Sequence, residues 1–390
     1  MKVLLTSTDN PYTAHLGGKH IHLLLLERGL RSLGLDVTTL YYDRQDPKEF
    51  LKRSTLILLS EKFRFRKKVN WMIDYLRKNI PKKEINIVHA HDVLSILAVS
   101  HMPQKKVLTL HGYFARENIE FVKDEKDREA IYPELFKLEK DAMSHASYVI
   151  AVDQRLRDYV ISEFNWPADK VTVIHNAVDT DRFGPVTADE QRRLKSSYGI
   201  GTEQFIILVP RRLVEKNGAI YAVRAMKHLK NNNVKMIIAG DGPERNAIAK
   251  EAEGDSRIDL AGTIPHDKID SYYKMADAIL IPSITSHGIQ EATSLSMLEG
   301  MSAGKVVICS EIGGMREIIQ DMKNGMFVQE KQPQSIAEAV ETVLEDHSLR
   351  IKIGNEAREY ALQNHSFVVH ARKTAQLYRK VLGEEENAQT

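Results

Sequence analysis

Two successive series of short apolar runs, each run parted from the next by a stretch with helical spacing, constrain this chain more than any other feature. The first series is KVLLTS (2–7), DVTTLYY (36–42), INIVHAH (85–91), KKVLTLHG (105–112), SYVIAVD (147–153) and KVTVIHNAV (170–178). The second is FIILVP (205–210), VKMIIAG (234–240), IDLAG (258–262), AILIPS (278–283), KVVICS (305–310) and GMFVQ (325–329). Runs this short and this apolar read as strands buried on both faces. The segments between them, such as KHIHLLLLERGLRSLG (19–34) and YPELFKLEKDAMSHA (132–146), carry apolar residues at helical spacing. Strand–helix alternation with gaps of about a dozen residues or more implies parallel sheets covered by helices. The expected class is α/β, with two doubly wound Rossmann-like units in tandem.

The rhythm breaks over 179–204, a polar stretch with Gly and Pro, where the interdomain connection is expected. The expected division is 1–180 for the first unit and 181–365 for the second. A last helix is expected to start at an N-cap, Ser366, and to run to about Leu382. Open α/β sheets bind ligands at the carboxyl ends of their strands, so a cleft between two such units is the expected site.

Bulk properties mainly exclude. With 55 Lys and Arg against 53 Asp and Glu, no global field points to nucleic acid. The single cysteine, Cys309, rules out an internal disulfide framework and suits a reducing compartment, the cytosol. It reads as a small core residue of its strand. The apolar part of the N-terminus is too short for a signal peptide, and no run of about 18 apolar residues is present.

Three stretches carry residues suited to an anionic ligand. In SHGIQEATSLSMLEGMSAGKVVICSEIGG (286–314), Thr293 and Ser294 suit a helix start, where free N–H groups and the helix dipole attract anions. Glu291 is expected just ahead of that helix and Glu299 two turns inside it. Were both helical they would lie roughly 12 Å apart, too far for the carboxylate pair of a hydrolase but suited to the two ends of a nucleotide sugar. An amphipathic helix with two exposed glutamates is the plain alternative. In PRRLVEKNG (210–218), Arg211, Arg212 and Lys216 follow a strand end; Arg grips phosphate bidentately and Lys acts as a point charge. In TAHLGGKH (13–20), Gly17 and Gly18 permit close backbone approach at a helix start.

His89, His91 and His111 fall at strand ends. Without a cysteine partner or a helical Glu-containing motif they read as substrate hydrogen-bonding groups rather than a metal site. The stretch 61–83 holds nine Lys and Arg against two Asp and Glu, interleaved with Phe63, Phe65, Trp71 and Tyr75. Its ingredients suit a lipid surface, a nucleic-acid groove, or one helix packed on its own domain with a basic outer face.

Together these stretches resemble glycosyltransferase family 4, retaining enzymes of the GT-B fold, over nearly the whole chain. Glu291 to Glu299 with GMSAGKVVICSEIGGMREII behind it, PRRLVEKNG, HNAVDTDRF (175–183) and NGMFV (324–328) carry the likeness. The resemblance implies two Rossmann-like domains facing across a deep cleft, an acceptor-binding one first and a donor-binding one second, with the 366–390 helix crossing back. It implies a UDP- or GDP-sugar donor, a hydroxyl acceptor on a glycan, a lipid-linked precursor or a small molecule, no metal or other cofactor, and no nucleic acid. Arg212 and Lys216 would hold the diphosphate, with N–H groups of Thr293, Ser294 and Leu295. Glu299 would take the ribose, Glu291 and His111 the transferred sugar, Gly17 and Gly18 the diphosphate, and Ile264 the base. The expected place is the cytoplasm, at the inner face of the membrane if 61–83 meets lipid. The chain departs from the family pattern in having Arg211 where Gly is common, Asn217 where the lysine usually stands, and QEATS before the helix. A GT-B nucleotide-sugar epimerase and a non-catalytic nucleotide-sugar binder are the rival readings.

Overall fold

The computed structural model describes residues 1–13, 17–43, 61–120, 122 and 124–384. Positions 14–16 of the TAHLGGKH stretch and 385–390 of the expected crossing helix lie outside them. The chain divides into two units, Met1–His175 with His370–Thr390, and Asn176–Val369.

In the first unit six strands form one parallel sheet. They are β1 (Lys2–Ser7), β2 (Asp36–Tyr41), β3 (Ile87–Ala90), β4 (Lys105–Leu110), β5 (Tyr148–Ala151) and β6 (Val171–Val173), in the order β2-β1-β3-β4-β5-β6. Among the described residues its helices are α1 (Gly18–Ser32), α2 (Glu61–Lys78), α3 (Val93–Ala98), α4 (Phe114–Ile119), α5 (Glu125–His145) and α6 (Gln154–Phe164). Helix α1 stops where Gly34 turns left-handed, with φ +80°. Helix α5 begins seven residues before the expected Tyr132, at an Asp124 cap, and carries Pro133 inside it.

The second unit repeats the plan. Strands β7 (Phe205–Pro210), β8 (Val234–Ala239), β9 (Ile258–Gly262), β10 (Ala278–Ile281), β11 (Val306–Ser310) and β12 (Met326–Val328) form a sheet in the order β12-β11-β10-β7-β8-β9. The helices are α7 (Ala188–Ser197), α8 (Ala219–Ala225), α9 (Arg245–Glu251), α10 (Ile269–Met275), α11 (Leu295–Ser302), α12 (Pro333–Glu345) and α13 (His347–His365). The 179–204 stretch is not a connector. The units part at His175/Asn176, and α7 inside that stretch is a true helix started by a Thr187–Glu190 capping box. Helix α14 (Phe367–Leu382) begins in the second unit and continues in the first; the Ser366 hydroxyl accepts from the Val369 N–H, as its N-cap role requires.

Both sheets reverse their strand order at one point, between β1 and β3 in the first unit and between β7 and β10 in the second. Each reversal opens a crevice at the strands' carboxyl ends. In the second unit β7 and β10 are buried along their whole length. Their exit loops are tied together, with the Ile284 N–H donating to the Lys216 carbonyl at 2.8 Å. Gly218 lies in that contact with φ +64°, and a Cβ there would come within 1.9 Å of the Pro282 carbonyl oxygen.

Helix α2 places Val69, Met72 and Leu76 in the core. That spacing of three and four residues is a packed helical stripe. Of the aromatic residues expected on its apolar side, Phe65, Trp71 and Tyr75 are partly buried. Outside remain Phe63, 50% exposed, and the basic face.

Replacing Gly218 by Ala should destabilise the protein by at least about 2 kcal/mol in denaturant unfolding, through strain and a backbone clash together. The same change at Gly254, left-handed but with open space around it, should cost visibly less.

Candidate functional site

In the second unit the first residue after β7 turns inward. Arg211 is 7% exposed. Its Nη2 donates to Asn217 Oδ1 at 2.6 Å, Ser283 Oγ at 2.9 Å and Glu291 Oε2 at 3.0 Å. Its Nη1 donates to Ser294 Oγ at 3.1 Å. One guanidinium thus joins the β7 exit loop, the β10 exit loop, the Glu291 loop and the cap of α11. Its neighbour Arg212 points outward and is exposed. The side chains of Arg212 and Lys216 make no hydrogen bond or ion pair among the described residues, while the Arg212 carbonyl accepts from Asn217 Nδ2 at 2.7 Å.

Ser294 caps α11, its hydroxyl also accepting from the Met297 N–H. The Thr293 carbonyl accepts from Asn176 Nδ2 at 3.0 Å. The Glu291 carbonyl accepts from the Gly314 N–H at 3.1 Å, and a Cβ on Gly314 would lie 2.8 Å from the Thr293 nitrogen. The Gly313-Gly314 pair therefore serves close packing beneath the Glu291 loop. Thr293, Ser294 and Glu291 are brought together; Leu295 opens the helix.

Glu299 lies one turn inside α11, not two, because the helix starts only at Leu295. It is 9% exposed and accepts from the Tyr273 hydroxyl at 2.6 Å. Burial pushes its carboxyl up to about 7, and the Tyr273 hydrogen bond offsets only part of that. The exposed-glutamate alternative is excluded for Glu299. Ile264 packs, partly buried, against the core cluster that contains α11 residues.

The first unit has its own cluster at the β1/β3 reversal. Lys19 on α1 bridges Asp9 at 2.8 Å and Asp92 at 3.1 Å. Burial opposes the Lys19 charge, but the two carboxylates outweigh it and hold its pKa above the ordinary value. Gly17 and Gly18 are exposed at the start of α1. The His111 ring stands edge-on to His22, with centroids 4.5 Å apart, and its Nε2 lies 3.5 Å from His91 Nδ1. Burial, with His22 and Lys19 adding to it, drives the His111 pKa well below the usual histidine range, so the ring is neutral. His22, His91 and His111 are the one group among the described residues with the spacing to hold a metal ion, their ring nitrogens lying within 4.8 Å of one another. His89 does not act as expected. It is 1% exposed, and its nitrogens are taken by the Tyr378 hydroxyl at 2.6 Å and the Thr109 hydroxyl at 2.7 Å.

Residues 16–182 match the family described as Glycosyltransferase Family 4, and residues 190–360 match Glycosyl transferases group 1. The chain belongs to the family 4 glycosyltransferases. A glycosyltransferase of Methanocaldococcus jannaschii is 34% identical over 236 residues, which is 59% of either chain. The match thus spans about three-fifths of that relative's length. Among solved structures, sucrose-phosphate synthase of Thermosynechococcus elongatus superposes with TM-score 0.78 at 18% identity, covering 98% of this chain and 100% of its own. HepE of Anabaena, solved in complex with UDP-glucose, gives 0.69 at 18% identity, covering 97% and 100%. At these identities the likeness is one of fold, and the fold is GT-B.

Sequence reasoning named Arg211 beside Arg212 and Lys216, gave the diphosphate to the last two, noted Asn217 only as a departure from the family pattern, and passed over Ser283 and Tyr273. For Ser283 a polar residue at a strand exit was the available signal, whereas Tyr273 lies inside α10.

A carboxyl raised by the fold stabilises it below the unfolded value of about 4.3 and loses that contribution as pH rises toward its folded value of about 7. Glu299→Gln should therefore gain stability relative to the parent between pH 5 and pH 8. Paired thermal melts across that range check the sign.

Proposed function

We propose that this chain transfers a sugar from a nucleotide diphosphate sugar, of the UDP or GDP kind, to an acceptor hydroxyl with retention of configuration and without a metal. The observation that carries the reading is the capped start of α11 beside the β7 exit. The N–H groups of Leu295 and Ser296 and the Arg211 guanidinium adjoin there, with Glu291 ahead of the helix and buried Glu299 one turn along it. N–H groups and fixed cations attract a diphosphate and stabilise the charge that gathers on it as the glycosidic bond breaks.

In this reading Arg212 and Lys216, whose side chains have no hydrogen-bond or ion-pair partner to leave among the described residues, close on the diphosphate. Thr293, Ser294 and Leu295 offer N–H groups to it. Glu299 accepts from the ribose hydroxyls, Ile264 lies at the base, and Glu291 and His111 contact the transferred sugar. A neutral His111 suits a hydrogen bond to a sugar hydroxyl. The anomeric carbon–oxygen bond breaks toward the phosphate, the acceptor oxygen bonds to the same face, and its proton passes to the departing phosphate. The complex of HepE with UDP-glucose supports a nucleotide-sugar donor by analogy.

The acceptor is a glycan, a lipid-linked precursor or a small molecule. A lipid-linked one agrees with the exposed Phe63 and the basic face of α2, which suit an anionic membrane surface. No described helix is long and apolar enough to cross a membrane.

A thermal-shift screen with UDP-, GDP- and ADP-sugars should raise the melting temperature for one nucleotide class. Turnover with that donor should persist in EDTA and give the donor's anomer by NMR; an inverted product refutes retention. Arg212→Ala should weaken donor binding by roughly tenfold or more, the worth of one charge-assisted contact. Binding to anionic vesicles should fall as salt rises and fall further when the α2 basic residues are neutralised.

A further inference from the structure

Arg211 has chemistry left over. The guanidinium carries five N–H donors. Four protein groups accept from Nη1 and Nη2, and Nε is buried with no hydrogen-bond partner among the described residues. Of those acceptors only Glu291 is charged. A cation less than a tenth exposed, fixed against the cap residue of α11, sits where the free N–H groups of that helix begin. Arg212 and Lys216 must be drawn out of solvent to reach an anion there; Arg211 is already desolvated and oriented.

We propose that Arg211 is the principal diphosphate-binding cation of the second unit, and that Asn217 holds its fork in place. The proposal rests on the nucleotide-donor reading above and assigns the strongest charge of that site to the residue with the most protein contacts. A preorganised cation in a dry site acts on a phosphate more strongly than a mobile one in water, because neither solvent nor side chain must rearrange. Asn217 Oδ1 lies 2.6 Å from Nη2. A lysine at 217 is therefore placed to bring its ammonium into the space of the guanidinium once that group is removed.

Two roles need separating, since Arg211 also neutralises Glu291. If neutralisation were its entire contribution, removing both charges together would leave diphosphate binding intact. Removing Arg211 alone takes the cation away from a partly buried carboxylate and endangers the fold. The double variant Arg211→Met with Glu291→Gln removes both charges and avoids that penalty.

The test is calorimetry of UDP and GDP, with uridine and guanosine as nucleoside controls, on the full chain. Relative to Glu291→Gln alone, the double variant should bind the diphosphate at least about 30-fold more weakly, with nucleoside affinity unchanged. Arg211→Met with Asn217→Lys should recover most of the diphosphate affinity that Arg211→Met loses. Equal diphosphate affinity in the double variant and in Glu291→Gln overturns the proposal and leaves Arg211 a structural counter-ion. An equal loss of nucleoside and diphosphate affinity also overturns it, because the defect is then not at the phosphates. If the parent protein binds neither diphosphate, the donor reading fails and takes this proposal with it.

Discussion

A single buried guanidinium holds the second unit's crevice in shape. Arg211 bonds to groups 6, 72, 80 and 83 residues away in sequence. Asn217 lies on the β7 exit loop that carries Arg211 itself, and the other three partners lie at successive points of the β10–α11 connection, so the charge ties two loops together. The surrounding fold provides for the contact. Parallel strands end together on one side of the sheet, and the reversal between β7 and β10 leaves room there for a side chain from one to meet a loop from the other. Gly218 and Gly314 then let backbones approach more closely than any Cβ allows.

The two units treat buried polarity differently. The second sets one fixed cation, one partnered carboxylate and one carboxyl raised to about 7 around the start of a helix. The first stacks neutral imidazoles beside a Lys19–Asp9–Asp92 group whose charges are paired. An apolar interior tolerates charge only when it is paired and hydrogen-bonded, and otherwise drives groups to the neutral form. His111 and Glu299 follow the second route; Arg211 and Lys19 follow the first.

Strands and their order of appearance were legible because parallel strands buried on both faces need almost unbroken apolar runs, and every such run became a strand. Caps were legible for a similar reason. Ser294 and Ser366 act on N–H groups two or three residues away, so the signal is local. The start of α5 was missed because Pro133 reads as a first-turn residue, whereas the Asp124 cap lies further back. The choice between Arg211 and Arg212 was out of reach. Neighbouring side chains leave an extended strand end in opposite directions, and which one finds Ser283, Glu291 and Ser294 depends on distant loops. His89 illustrates the same limit, since the Tyr378 hydroxyl that occupies it comes from 289 residues away.

That last contact has a consequence for how the chain comes into being. Ala371, Ala375, Leu377 and Tyr378 of α14 belong to the same core cluster as Val3, Leu5 and Leu26. The first unit's interior is therefore complete only when two segments far apart in the chain, 3–26 and 371–378, have both been made. The second, lying wholly within Asn176–Val369, has its entire sequence available earlier.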